Sequence, residues 1–133
     1  MANSYVPHYA PVEKKAKELC KGVRPLRERY DVITDYVTRH IVYDYIRAAT
    51  IQKRNGLPDV ARCWDRQMGI CLDISALTVG MLRAVSVPCS LVIGHADGHY
   101  HAWVEARIDG KRLLYDHDDP TGRVKFYKKE RMY

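Results

Sequence analysis

The period of the hydrophobic pattern changes once along this chain, and that change constrains the fold more than any other feature. Up to about residue 85, apolar residues recur at helical spacing, and from Pro88 onward they alternate with the two-residue period of strands. Helices followed by hairpin-connected strands predict an α+β domain, with a central helix packed on an antiparallel β-sheet. The 133 residues suffice for one core, so we expect a single domain over 1–133.

The first half of the chain has helical patterns separated by turn residues. They span residues 11–21, 26–40, 58–68 and 71–85, and residues 44–52 could continue as helix. The pattern from Cys71 to Val85 has the fewest charges, so we expect it to form a central, largely buried helix. Residues 1–10 show no hydrophobic periodicity, so we expect them to form an irregular arm.

The second half is organised around Asp109-Gly110, a dipeptide that favours a two-residue hairpin turn. Strands are predicted over 89–94, 100–108 and 112–117, with 123–127 as a possible last strand before the rest of the basic tail, which spans 122–133. If the turn has two residues, paired positions sum to 219, so Trp103 lies opposite Asp116 and His101 lies opposite Asp118.

The net charge of +6 would fit a nucleic-acid binder, but its distribution argues against one. Residues 1–62 carry +5 and 122–133 carry +4, whereas 63–121, which hold the most distinctive chemistry, carry −3. We therefore expect no nucleic-acid partner. No apolar run is long enough to span a membrane, and the start does not resemble a signal peptide, although removal of a leader would give the same start.

The four cysteines, at positions 20, 63, 71 and 89, include no C-x-x-C pair. We expect reduced thiols and a cytoplasmic location, because a core of this size needs no disulfides. We also expect no cofactor and no metal, since strand alternation places the clustered metal-ligand types on different faces. That group comprises His95, Asp97, His99, His101 and His117.

Cys71 is the candidate nucleophile, because it follows Gly69 and falls in the first turn of the predicted central helix. The free N–H groups and partial positive charge of a helix N-terminus favour a thiolate and can hold an oxyanion. A buried structural cysteine is the alternative. His101 is the candidate base, and Asp116 lies diagonally from it on the same face of the predicted hairpin, within reach of the ring.

Several blocks of sequence, in order, resemble the transglutaminase-like superfamily. The blocks are Gly69 to Leu77, Met81 to Pro88, His101 to Glu105 and Gly110 to Asp116, with a similar lead-in from Tyr36 to Asp44. The resemblance implies a papain-like fold and a short, bacterial-type member. It further implies Cys71 as nucleophile, His101 as general base and acid, and Asp116 as the residue that orients His101.

The chain departs from the family pattern around the last block. The family's Asp is often followed by Pro-Thr, but here Asp116 is followed by His117-Asp118, and Asp-Pro-Thr comes three residues later at Asp119. Asp119 therefore remains an alternative to Asp116 at this point. The family also commonly has an aromatic residue where this chain has Arg112, and Gly where it has Ser86.

Three further residues are candidates for binding the oxyanion or the substrate. Trp64 and Gln67 precede Cys71 by seven and four residues, where papain-like sites often supply a donor, although Trp64 could instead pack under the central helix. Trp103 could line the acyl groove or serve core packing alone. Asp73, in the first turn of the helix, is expected to interact with the helix dipole.

These observations predict a thiol-dependent hydrolase of amide bonds, with cysteine peptidase as the first choice and a peptide or protein as substrate. The same acyl-enzyme could react with an amine, as in transglutaminases, or lead to deamidation of glutamine side chains. A non-catalytic protein-binding module that docks an acidic partner through its basic ends is a different class of alternative. The sequence determines neither the acyl acceptor nor the oligomeric state.

Overall fold

The computed structural model describes residues 3–50 and 56–133 as an α+β structure, as the change of period predicts. Its helices are α1 (Ala10–Leu19), α2 (Leu26–His40), α3 (Tyr45–Thr50), α4 (Val60–Arg66) and α5 (Cys71–Ala84). Its strands are β1 (Val42–Tyr43), β2 (Met68–Gly69), β3 (Cys89–Ala96), β4 (His99–Ile108), β5 (Lys111–Tyr115) and β6 (Tyr127–Met132). No helix within the described ranges has both the length and the apolar character that crossing a membrane requires.

Four strands form one antiparallel sheet in the order β5-β4-β3-β6. Helix α5 packs on β3 and β4 with one side and on α1, α2 and α4 with the other. It is buried on nearly every face, as its uncharged pattern predicts, and Leu77, Val79, Met81 and Leu82 have no exposed surface. The central helix therefore carries Cys71 into the middle of the molecule.

The β4–β5 hairpin has the predicted register. Asp109 and Gly110 have φ angles of 53° and 75°, the left-handed values that both central residues of a tight hairpin turn adopt. Val104 pairs with Tyr115 and Ile108 pairs with Lys111, so paired positions sum to 219. This register places the residues after Tyr115 next to the beginning of β4.

Strands β1 and β2 form a separate, parallel pair that connects the end of α2 to the segment before α5. Tyr43 pairs with Gly69, and the Asp44 N–H donates to the Gly69 carbonyl at 2.8 Å. Helix α4 ends at Arg66, two residues before the predicted end, because Gln67 adopts a left-handed conformation with φ of 55° and redirects the chain into β2. Part of the helical continuation predicted over 44–52 lies outside the described residues.

The C-terminal segment differs from the prediction of a strand over 123–127 followed by a tail. The strand is instead β6, at Tyr127–Met132, and it pairs with β3 at the edge of the sheet. The run of basic residues hid this strand, since an edge strand tolerates charges that face solvent. One of those charges is paired, because Lys129 Nζ lies 3.1 Å from a carboxylate oxygen of the buried Glu105.

Candidate active site

Cys71 is the first residue of α5, and its position depends on a carboxylate two residues further along. Asp73 Oδ2 accepts a hydrogen bond from the Ile70 N–H at 3.2 Å, which caps the helix. The side chain of Cys71 is half-buried, whereas Cys20, Cys63 and Cys89 are buried. Of the four cysteines, Cys71 thus combines a position at a helix N-terminus with access to solvent.

Asp73 also joins α5 to the segments around it. Its Oδ1 accepts from the Asp59 N–H at 2.9 Å, and Arg47 Nε lies 3.5 Å from Oδ2. Burial raises the pKa of Asp73, and the two backbone hydrogen bonds and the Arg47 charge only partly oppose it. The sequence identified Asp73 as a dipole partner, and the structure adds this cross-linking role.

Gly69 lies where β2 passes close to α4 and α5. A Cβ added at this position would lie 2.8 Å from Cys63 Sγ and 3.0 Å from Asp73 Cβ. The close approach therefore requires glycine, because a side chain would push apart the segments that hold the N-terminus of α5.

His101 and Asp116 form the hydrogen bond that the hairpin arrangement predicts. The Nε2 of His101 lies 3.0 Å and 2.9 Å from the two Asp116 carboxylate oxygens. Asp116 is buried, and it also accepts from the Tyr127 hydroxyl at 2.9 Å and from the Asp118 N–H at 3.1 Å. These contacts fix both the carboxylate and the tautomer of the ring.

Asp119, the alternative to Asp116, is occupied elsewhere. Its carboxylate accepts from the Arg123 N–H at 2.7 Å and the Val124 N–H at 2.8 Å, and these bonds lower its pKa. Asp119 therefore stabilises the turn that leads towards β6. Of the two aspartates, the structure brings Asp116 to His101.

Cys71 also lies beside the His101 ring. Its Sγ is within 4.8 Å of a ring nitrogen. Burial of the ring works to lower the pKa of His101, but the hydrogen bonds to Asp116 and Cys71 and their charges outweigh it and raise this pKa to about 10. The imidazole is consequently protonated at neutral pH beside the thiol.

Trp103 supports His101 from inside the sheet. Its ring has no exposed surface, and its centroid lies 6.1 Å from that of His101 and 4.8 Å from that of Tyr127. A side chain with no exposed surface packs inside the fold, and a role for Trp103 in lining an acyl groove stays a prediction. The packing alternative describes its position.

The structure does not direct the two upstream candidates at the thiol. Trp64 packs on the core, with its ring 6.2 Å from Tyr36, and the Gln67 side-chain amide donates to the Trp64 carbonyl at 2.6 Å. A role for Trp64 or Gln67 in holding an oxyanion therefore stays a prediction. The first N–H groups of α5 are the donors that the fold itself provides near Cys71.

Tyr43 was not identified from the sequence, and Asp118 was identified there only as the residue opposite His101; both lie near Cys71. Burial, and then the charges of Cys71 and Asp118, raise the pKa of Tyr43, so its hydroxyl keeps its proton. Asp118 has a carboxylate oxygen within 4.8 Å of the thiol sulfur. Tyr43 reaches the site through the β1–β2 pair, and strands of two residues leave no periodic signal in a sequence.

The histidines considered as a metal group have separate partners in the structure. His95 Nδ1 lies 3.5 Å from Glu130, His117 Nε2 donates to the Ile41 carbonyl at 2.7 Å, and His101 binds Asp116. The arrangement that remains at Cys71 is a thiol at a helix N-terminus and an imidazole held by a buried carboxylate. Such an arrangement can support nucleophilic attack by sulfur and proton transfer by the ring.

The family model described as the Transglutaminase-like superfamily matches residues 13–116. Because this match covers most of the sequence, the chain belongs to the transglutaminase-like superfamily. Among curated proteins, none matches the chain.

Solved structures share the fold at low sequence identity. A protein named "putative cysteine protease" from Cytophaga hutchinsonii is 18% identical, with a TM-score of 0.69 over 100% of this chain and 52% of its own. A protein named TGase is 21% identical, with a TM-score of 0.62 over 92% of this chain and 32% of its own. Legionella pneumophila LapG is 14% identical, with a TM-score of 0.59 over 87% of this chain and 72% of its own.

The chain thus spans about half the length of the Cytophaga protein and about a third of the TGase. At these identities the likeness establishes the fold.

Proposed function

We propose that this chain is a thiol-dependent hydrolase of amide bonds, acting on a peptide or protein through an acyl-enzyme. The observation that carries the proposal is the position of His101, which is hydrogen-bonded to the buried Asp116 and has a ring nitrogen within 4.8 Å of the Cys71 sulfur. A raised pKa keeps the ring protonated beside the sulfur, which stabilises a thiolate–imidazolium pair.

In this mechanism the Cys71 thiolate attacks the amide carbonyl, and the oxyanion is held by N–H groups at the start of α5. The imidazolium of His101 donates its proton to the leaving amine, and a thioester remains on Cys71. Neutral His101 then accepts a proton from water, whose oxygen attacks the thioester and releases the acid. Asp116 keeps the ring oriented throughout and stabilises its charged form.

The acyl acceptor decides between the activities that such an intermediate permits. Water after attack on a backbone amide gives peptide cleavage, water after attack on a glutamine side chain gives deamidation, and an amine gives a cross-link. We place peptide cleavage first. The non-catalytic alternative is disfavoured because a binding module has no need of a buried carboxylate that holds a histidine against a half-exposed thiol.

A peptide-library screen tests the proposal and separates the three reactions. Wild-type chain and Cys71→Ala are incubated with the library in ¹⁸O-water, with and without a primary amine, and products are identified by mass spectrometry. We expect new peptide termini that carry ¹⁸O with wild type alone. Glutamine mass changes or amine adducts would instead assign deamidation or transfer, and identical products from both chains would refute the enzymatic proposal.

Labelling of the cysteines tests the nucleophile without a substrate. Burial raises the pKa of Cys63 to about 12 and that of Cys89 to about 11, and it also raises the pKa of Cys20. We expect iodoacetamide at neutral pH to label Cys71 at least about tenfold faster than these three. Equal labelling of all four in the folded chain would contradict the assignment.

A further inference from the structure

Asp118 is an acidic residue at the site that the proposed mechanism does not use. One donor atom from each of Cys71, His101 and Asp118 lies within 4.8 Å of the other two. The three come from different parts of the fold, namely the start of α5, strand β4 and the loop after β5. Thiolate, imidazole and carboxylate are the ligand types that Zn²⁺ takes in proteins.

The loop that carries Asp118 is anchored at that residue and at the one before it. The Asp118 N–H donates to Asp116, and the preceding His117 donates to the carbonyl of Ile41, at the end of α2. The Asp118 side chain itself is 26% exposed, with His117 Nδ1 at 3.6 Å from its carboxylate. Its carboxylate is therefore held near the thiol while remaining open to an ion from solvent.

His101 has the arrangement of a metal ligand as well as that of a base. Its Nε2–H donates to Asp116, which leaves Nδ1 as the nitrogen available on the side of Cys71. Histidines that bind metals almost always donate their other N–H to a carboxylate or carbonyl, because this bond fixes the ring and increases its basicity.

We propose that Cys71, His101 and Asp118 form a zinc-binding site, with solvent completing the coordination. This group shares only His101 with the histidine-rich group considered from the sequence. Tetrahedral ligands at zinc bond lengths lie about 3.3–3.8 Å apart, so side-chain rotations that move these donor atoms by about 1 Å bring them to coordination distance. Zinc replaces the proton on the His101 ring, which passes to solvent, and the thiolate and carboxylate offset its charge.

The consequence of zinc binding rests on the proposed function. Coordination to Zn²⁺ withdraws electron density from the sulfur and so slows its attack on a carbonyl, and a coordinated Nδ1 cannot transfer a proton. Zinc bound at this site therefore acts as a reversible inhibitor, and removal of the ion restores the nucleophile.

Zinc competition against a chromophoric chelator measures the site directly, with metal-free chain and added Zn²⁺. We expect one zinc per chain in wild type, and an affinity about 10- to 100-fold weaker in Asp118→Asn. The matched control is Asp35→Asn, the same change at an exposed carboxylate that pairs with Arg39 on the surface of α2. It should bind zinc as wild type does.

Protection of Cys71 from iodoacetamide places the bound ion. Zinc should slow alkylation of Cys71 in wild type and in Asp35→Asn, and a chelator should restore the rate. In Asp118→Asn the metal-free rate should persist and the protection should require more zinc. Equal zinc affinity in the two variants, or bound zinc that leaves Cys71 unprotected, would overturn the proposal.

Neither measurement depends on turnover, so the two proposals can fail separately. Zinc bound as described by a chain without amide-cleaving activity would contradict the proposed function alone. An active chain whose Cys71 is unaffected by zinc would contradict the zinc site alone.

Discussion

Cys71 and His101 are held in place in two different ways. On the helical side, Asp73 binds backbone N–H groups and so determines where α5 begins. On the sheet side, Asp116 binds mainly side-chain groups, the His101 ring and the Tyr127 hydroxyl, together with one backbone N–H, that of Asp118. The comparison teaches that two buried aspartates of one site do different work, because losing Asp73 removes backbone support whereas losing Asp116 changes the charge state of a ring.

The largest expected effect is a loss of turnover when His101, which lies between the helical side and the sheet side, is replaced. His101→Ala should lower turnover on the substrate found in the library screen by about 10²- to 10⁴-fold, because proton transfer is lost. The unfolding free energy should change far less than the activation free energy. Steady-state kinetics and chemical denaturation of the same preparations check this, and retention of more than a tenth of the activity would exclude His101 as the base.

On the helical side, Asp73→Ala should destabilise the fold by about 2–4 kcal/mol. The substitution leaves the Ile70 and Asp59 N–H groups without their acceptor and Arg47 without this buried carboxylate. Urea denaturation measures the loss, with the exposed Asp35→Asn as the control that should stay within about 0.5 kcal/mol of wild type. A wild-type midpoint for Asp73→Ala would break the comparison.

Gly69→Ala tests the same side by steric means. The added methyl group would meet Cys63 and Asp73 at distances that require the neighbouring segments to move, so we expect a loss of about 1–3 kcal/mol. Gly80→Ala is the matched control, since a Cβ there meets nothing within 4 Å. Thermal unfolding of the two variants side by side should separate them by several degrees, with Gly80→Ala the more stable.

On the sheet side, Asp116→Asn should lower the pKa of His101 from about 10 by more than one unit. Its effect on the unfolding free energy at neutral pH should be smaller than that of Asp73→Ala. Because the folded-state pKa is raised, this ring contributes stability that is present below about pH 6.5 and is lost as pH rises through about 10. Wild type should therefore lose more stability than Asp116→Asn between pH 7 and 10.

Imidazole NMR of the two chains, together with denaturation at each pH, provides the measurement. The control is Asp119→Asn, which should leave the His101 titration within about half a unit of wild type, because Asp119 binds a turn and not the ring. A larger shift in Asp119→Asn than in Asp116→Asn would reverse the assignment of the two aspartates.

More contacts of the site could be predicted from the sequence on the sheet side than on the helical side. A two-residue turn fixes the register of a hairpin, and the register in turn determines which residues face His101, so Asp116 follows from local arithmetic. Alternation assigns a residue to a face of the sheet but not to a depth, which is why Trp103 could be placed on the correct strand while groove lining and core packing both stayed open.

The contacts around Cys71 depend on segments that leave little pattern. Strands β1 and β2 have two residues each, and the loop that carries Asp118 is positioned by its contacts with α2 and Asp116. Neither arrangement follows from periodicity, so the position of Tyr43 and the closeness of Asp118 to Cys71 are seen only in the structure. Strand β6 was missed for another reason, since its charges resemble a tail until its pairing with β3 is known.

The place of β6 has a consequence for the order in which the site is made during translation. A ribosome releases Cys71 well before Tyr127, whose hydroxyl holds Asp116 and whose strand closes one edge of the sheet. Cys71 emerges before His101 and Asp116, and Asp116 emerges before the Tyr127 hydroxyl that binds its carboxylate. The full set of contacts around the thiol therefore forms only after β6 has been synthesised and has paired with β3.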